Sequence, residues 1–289
     1  MKQGDFVVRK SYGGDLLFRV QAIRPYDLQA LLKGADFRLV ADSPMDDLET
    51  IEDPEQMTVR QEVRQKVNET IKKIQSERQR QMQVAEHRVR LFQPARTTPY
   101  FEVPGKVLHL DGDANYLKKS MQMYQTMNVP AYGVHAHESQ MADLLYRLLP
   151  EVKPDIVVIT GHDGVIKHRS SRDHYSLTSY KNSQNFVNAV RTARQYEKNK
   201  DNLIVIAGAC QSHFEALMHT GSNFASSPGR ILIHALDPVY IAVKASFTPI
   251  RDSINLSDAI EGTISGIDGV GGLETLGKYR VGLPKTTSI

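Results

Sequence analysis

Two stretches decide the fold: Pro154-Asp155-Ile156-Val157-Val158-Ile159-Thr160-Gly161-His162-Asp163-Gly164 and Asn202-Leu203-Ile204-Val205-Ile206-Ala207-Gly208-Ala209-Cys210-Gln211-Ser212. Each is a short, β-branched apolar run that stops at glycine, the pattern of a strand buried on both faces. Each then delivers a reactive side chain, His162 in the first and Cys210, the single cysteine, in the second. In an open parallel sheet the carboxyl ends of the strands share one edge, and ligands bind there. If these two strands are neighbours, imidazole and thiol face one crevice.

Working outward, the text from Gly105 onward alternates strand and helix. Strands are predicted at 107–110, 129–135, 155–160, 203–207 and 230–234, and helices at 114–127, 139–149, 183–197 and 214–219. Alternation at this spacing builds βαβ units, so the fold class is α/β, a doubly wound parallel sheet of flavodoxin-like type. Upstream, Phe6-Val7-Val8-Arg9 and Leu16-Leu17-Phe18-Arg19-Val20 flank Ser11-Tyr12-Gly13-Gly14 and read as a hairpin, continued by 28–32 and 37–40. A small SH3- or KOW-like β-barrel module is expected over 1–53. Asp53-Pro54-Glu55 then suits a helix start. Val59, Val63, Val67, Ile71 and Ile74 recur at helical spacing. The rest of that helix is polar, so its narrow stripe suits a coiled coil, a stalk against a partner, or self-association through 54–92. Arg78, Arg80, Arg88, Arg90 and Arg96 follow, and 94–99 reads as an exposed linker. The predicted units are 1–53, 54–104 and 105–289.

Composition narrows the functions. A chain of 289 residues with 40% hydrophobic and 24% charged residues fits a folded globular protein. A net charge of +3 argues against a general attraction to nucleic acid or membranes. No apolar run approaches the ~18 residues of a membrane span. The polar start, Met1-Lys2-Gln3-Gly4-Asp5, lacks a signal core, so cytoplasmic synthesis is expected. One cysteine excludes an internal disulfide framework and a multi-cysteine zinc site.

The chemistry follows from the strand ends. A thiol acts as a nucleophile through its thiolate, so its pKa must fall. Cys210 precedes a predicted helix over 211–218, whose N-terminal partial charge favours an anion. His162 can hold the proton and pass it to a leaving amine. The backbone amides of Cys210 and of Asp163 or Gly164 are candidate donors to an oxyanion. No cofactor is required. Two rival readings stand beside this one. His135-Ala136-His137-Glu138, with His109, His162 and Asp163, could bind zinc or manganese in a metallohydrolase. Alternatively, the β module and long helix could serve a non-enzymatic assembly protein. The glycine-rich 262–277 stretch lacks the strand and helix of a nucleotide loop and reads as a flexible, substrate-facing loop.

A histidine about 50 residues upstream of an Ala-Cys strand end resembles the caspase-like (clan CD) cysteine peptidases. More narrowly, Gly105-Lys106-Val107-Leu108-His109-Leu110-Asp111-Gly112-Asp113, Ile159-Thr160-Gly161-His162-Asp163 and Ala207-Gly208-Ala209-Cys210-Gln211-Ser212-His213-Phe214-Glu215 resemble the YabG sporulation-specific peptidases. So do Phe224-Ala225-Ser226-Ser227-Pro228 and Ile233-His234-Ala235-Leu236-Asp237-Pro238-Val239-Tyr240, and the likeness covers nearly the whole chain. The resemblance implies a caspase-like peptidase domain with His162 as general base and Cys210 as nucleophile. It implies synthesis in the mother cell of a sporulating bacterium, association with the forming spore coat, and substrates among coat and cortex proteins. It also implies cleavage after Arg, which requires a carboxylate in the pocket for the residue before the cut. Asp111 and Asp113 are the first candidates and Asp237 the next. An arginine-directed enzyme with an Arg-rich linker is expected to cut itself within about 78–96.

Overall fold

The computed structural model describes residues 1–53, 61–62, 65–76, 79–80, 83, 101–166 and 175–282. Its central sheet has the strands β7 (Val107–Asp111), β8 (Ala131–His135), β9 (Ile156–Thr160), β10 (Ile204–Ala207), β11 (Phe224–Ser226) and β12 (Val270–Gly272). They lie in the order β8-β7-β9-β10-β11-β12. The first five run parallel, and β12 pairs antiparallel to β11. The class is therefore α/β with a mixed, mostly parallel sheet.

The apolar runs fill both faces because alternate residues point opposite ways. Ile156, Val158, Ile204 and Ile206 join one core with Tyr124 of α2 (Ala114–Thr126) and Tyr240, Ile241 and Val243 of α6 (Asp237–Phe247). Val157, Ile159, Val205 and Ala207 join the other, with Leu145 of α3 (Met141–Val152) and Phe186 and Val190 of α4 (Ser183–Tyr196). Each such side chain contributes ~1.5–3 kcal/mol on burial. After β8 the chain crosses back over β7 to form β9, so the strand order reverses between β7 and β9. The crevice at their carboxyl ends is where such sheets bind ligands.

Two predicted elements differ. The fifth strand is β11, not 230–234. Phe224 and Ala225 take the ladder positions beside Ile206 and Ala207, and residues 231–235 instead form a loop. The stretch read as a flexible glycine loop contains the edge strand β12. Its Gly271 and Gly272 leave no room for a Cβ against Phe214 and Phe224, so glycine allows the close pass.

The N-terminal module is an antiparallel sheet in the order β4-β3-β2-β1-β5. Its strands are β1 (Phe6–Arg9), β2 (Phe18–Arg24), β3 (Gln29–Gly34), β4 (Val40–Pro44) and β5 (Leu48–Thr50). Val7, Phe18, Val20, Ala30, Leu32 and Leu48 form its own small core. The helical residues 65–76, here α1, pack Val67, Ile71 and Ile74 onto the first core of the α/β domain, so that part of the apolar stripe is covered within the chain. A two-stranded sheet pairs β6 (Phe101–Val103) with β13 (Arg280–Gly282). The remaining helices are α5 (Phe214–Thr220), α7 (Leu256–Glu261) and α8 (Gly266–Gly269). No described helix is long and apolar enough to cross a membrane. The linker 94–99 lies outside the described residues, as does most of 78–96.

Candidate active site

β9 and β10 are adjacent and in register, with Ile159 opposite Ala207. His162 and Cys210 each stand three residues beyond that pair, at equivalent exits from the sheet. His162 is buried between two carboxylates. Its Nε2 lies 3.4 Å from Asp113 Oδ2, and its Nδ1 lies 3.7 Å from Glu138 Oε1. Glu138 Oε1 also accepts the His162 backbone amide at 2.8 Å. Gly112 and Gly161 make this possible, because a Cβ on either would collide with the Glu138 carboxylate. Nε2 approaches Asp113 off the hydrogen-bond direction and makes no hydrogen bond among the described residues. The Tyr116 ring packs 6.0 Å from the imidazole.

Asp113 does three jobs. It caps α2 by accepting the amides of Asn115 (2.8 Å) and Tyr116 (3.1 Å), it faces His162, and it pairs with Lys33 of the N-terminal module. Burial pushes its carboxyl up, but His162 and Lys33 outweigh this and hold it well below the usual carboxylate range. Asp111 and Asp113, both candidates for an arginine pocket, thus have different neighbours. Asp111 ends β7 and receives Thr160 Oγ1 at 3.1 Å and the Asp113 amide at 2.9 Å. Its main partner is Arg38 of the N-terminal module, in a two-pronged contact with both distances 2.8 Å. Arg38 and Asp111 are both fully buried. Burial pushes the Asp111 carboxyl up, and the Arg38 charge pulls it well below the usual range. Removing one member of such a pair strands the other, at ~3–5 kcal/mol.

Cys210 is fully buried. Its Sγ lies 3.3 Å from the donating Ile233 amide and 3.7 Å from the Ile233 carbonyl oxygen. The helix predicted to activate it starts later, at Phe214, after a left-handed turn at Gln211 (φ 56°). The expected activation therefore fails in this conformation. Burial pushes the thiol up to about 12, against weaker opposing pulls from Ile233 and Arg38. Cys210 and His162 make no hydrogen bond to each other among the described residues.

Asp163 carries a network that ties the two loops together. Its carboxylate accepts the amides of Gly164 (2.9 Å) and Asn182 (2.7 Å) and the hydroxyls of Ser183 (2.5 Å) and Ser212 (3.0 Å). The Gly164 amide is therefore committed to Asp163. The amides of Asp163 and Cys210 donate no hydrogen bond among the described residues.

Asp237 is fully buried and holds a loop. It accepts the amides of Ile264 (2.8 Å), His234 (3.2 Å) and Ser265 (3.2 Å), and burial pushes its carboxyl up to about 6. His109 is buried between Tyr124 and Thr160, at 3.1 and 2.8 Å. His135 and His137 are exposed, apart from the buried Asp163 carboxylate. Among the described residues no three His, Cys, Asp or Glu side chains are placed to hold a metal ion.

Sequence reasoning missed Glu138, Tyr116 and Arg38. Glu138 stood in the His-Ala-His-Glu run, where the histidines drew a metal reading. The glycines at 112 and 161 were the available signal that something packs against both turns. Arg38 carried no signal, sitting in what reads as an ordinary strand.

A sequence model of the YabG peptidase family (U57) matches residues 2–284. The chain is 43% identical over 284 residues to the sporulation-specific protease YabG of Bacillus subtilis (strain 168), covering 97% of each protein. The chain belongs to the YabG peptidase family. It is thus a protease of a family tied to sporulation, which displaces the reading as a non-enzymatic assembly protein. No solved structure matches the chain. The loops that leave the adjacent strands β9 and β10 carry His162, Asp163 and Cys210.

Proposed function

We propose that the chain is a caspase-like cysteine endopeptidase that cleaves after arginine. Cys210 is the nucleophile and His162 the general base. The observation that carries this is the equal offset of His162 and Cys210 beyond the paired residues Ile159 and Ala207 of adjacent parallel strands. The antiparallel β12 at the sheet edge and the β8-β7-β9-β10-β11 order also fit a doubly wound peptidase domain.

In this mechanism the Cys210 thiol gives its proton to His162, and the thiolate attacks the substrate carbonyl carbon. Asp113 and Glu138 orient the ring and face the charge it gains. The Asp163 and Cys210 amides donate to the oxyanion. Collapse of the tetrahedral intermediate breaks the C–N bond, and the amine leaves with the His162 proton. Water, losing a proton to His162, then hydrolyses the thioester and restores the thiol. Asp111 supplies the two-pronged carboxylate a substrate guanidinium needs. The resemblance supports proteins of the spore coat and cortex as substrates, in the mother cell, and the arginines of 78–96 support self-cleavage there. Incubation of the enzyme with a protein substrate, with and without prior thiol alkylation, tests the mechanism by mass spectrometry of the fragments. Fragments ending in Arg that vanish on alkylation are expected. Turnover that survives alkylation but is lost to a chelator would overturn it.

A further inference from the structure

The pocket assigned to a substrate arginine already holds one. Residues 36–39, between β3 and β4, lie antiparallel to the 233–235 loop. Phe37 and His234 form an antiparallel bridge. The Arg38 amide donates to the Ile233 carbonyl at 3.4 Å, and the Ala235 amide donates to the Asp36 carbonyl at 3.0 Å. An extended peptide bound to a sheet-like edge makes this alternating pattern. The Arg38 side chain then turns inward onto Asp111, also donating to the Ala235 carbonyl at 3.0 Å and lying over the Tyr116 ring at 5.1 Å. Tyr116 Oη donates to the Phe37 carbonyl at 2.6 Å. Ile233, which receives the Arg38 amide, is also the residue holding the Cys210 thiol.

Two features set this apart from ordinary packing between modules. Thr160 and the Asp113 amide also bond to the Asp111 carboxylate, so the α/β domain itself orients the acid that Arg38 meets. The second cation of the same hairpin, Lys33, lies on Asp113, the carboxylate that faces His162. One hairpin therefore covers both acids of the β7 turn and bonds to Ile233, the residue that contacts the buried Cys210 thiol.

We propose that the 33–39 hairpin is an internal pseudosubstrate: Arg38 occupies the arginine pocket and residues 36–38 occupy the peptide edge, so the enzyme is held closed until the N-terminal module lifts. This rests on the cysteine-peptidase reading above and adds its regulation.

The test uses the full chain and a fluorogenic arginyl peptide. Arg38→Ala is expected to raise turnover at least tenfold and to speed alkylation of Cys210 by iodoacetamide to a similar degree. A synthetic peptide spanning 34–41, Gly-Ala-Asp-Phe-Arg-Leu-Val-Ala, should inhibit Arg38→Ala competitively, raising apparent KM at constant kcat. The same peptide with Ala in place of Arg should not. If Arg38→Ala does not fold, Arg38→Lys keeps the charge opposite Asp111 but loses the fork, and a smaller rise is expected from it. Unchanged or lower turnover in the folded variant overturns the proposal, leaving Arg38 as a structural pin. So does cleavage of the 34–41 peptide as fast as the reporter. Turnover that persists in Cys210→Ala would instead overturn the underlying mechanism, so the two failures are distinguishable.

Discussion

The loops that leave β9 and β10 begin at equivalent places, yet their surroundings differ. His162 is held entirely by the α/β domain, through Asp113, Glu138 and Tyr116, and one ring nitrogen makes no hydrogen bond among the described residues. Cys210 is sealed under Ile233, in a loop that itself bonds to the N-terminal module. One half of the site is positioned by its own domain's carboxylates, and the other lies under a loop that bonds to the N-terminal module. On the proposed mechanism, activation then consists of removing a cover rather than assembling a base.

The strongest way to break this contrast is to delete either half. Cys210→Ala and His162→Ala are each expected to lower kcat by ~10³-fold or more, with the double variant little worse than either single one. Additive losses would mean that the two residues do not work as a unit. The second test sharpens the claim that the pocket reads a guanidinium. Asp111→Asn should cut kcat/KM for arginyl substrates by ~10²-fold and leave little preference for Arg over Lys, because the planar contact is gone. Unaltered selectivity would place the pocket elsewhere.

The third concerns the readiness of His162. Glu138→Gln should lower kcat by ~10-fold with KM nearly constant and displace the pH–rate profile, because the residue acts through the ring it orients. A change in KM alone would point to substrate binding instead.

The smallest effect lies under the cover itself. Burial pushes His234 down to about 4, against the opposing pull of Asp36 and with Lys119 and Arg38 acting in the same sense. As pH falls from 6.5 to 4 the unfolded chain protonates this histidine before the folded one does, so stability is lost across that window. Asp237, which accepts the His234 amide, has the reverse sign: its raised pKa lowers stability as pH climbs from 3.8 to 6. Each contribution is ~3 kcal/mol and the two nearly cancel. Asp237→Asn should remove one side of the balance, so its urea midpoint should drop further than that of wild type between pH 7 and 4.5. Parallel pH profiles would show that the pair is not linked in this way.

Most of the sheet was legible because its signal is local. β9 and β10 are apolar runs followed by glycine, and β7 is a short run interrupted only by His109 and ended by Asp111, and sequence pattern finds such runs. The fifth strand was misplaced because Ile231-Leu232-Ile233 looks more strand-like than Phe224-Ala225-Ser226, yet only the latter sits beside β10. The site was half legible for a related reason. His162, Cys210, Asp111 and Asp113 are announced by their own turns, whereas Glu138 and Arg38 matter through neighbours 24 and 73 residues away. Burial was the other blind spot: a thiol at a strand end reads as activated, and only the 231–235 loop, which bonds to it, shows that it is buried.

The pairing of β6 with β13 bears on how a cut chain would behave. Phe101–Val103, just after the Arg-rich segment, is stitched to Arg280–Gly282 near the other end of the chain, and Gly105 is hydrogen-bonded to Ser246. On the far side, Arg38, Lys33 and α1 anchor the N-terminal part to the same domain. A break of the main chain between 84 and 100 would therefore divide the polypeptide without dispersing it. The two pieces should travel together in native size-exclusion chromatography and separate in denaturant, so severing the linker would not by itself release the hairpin from the cleft.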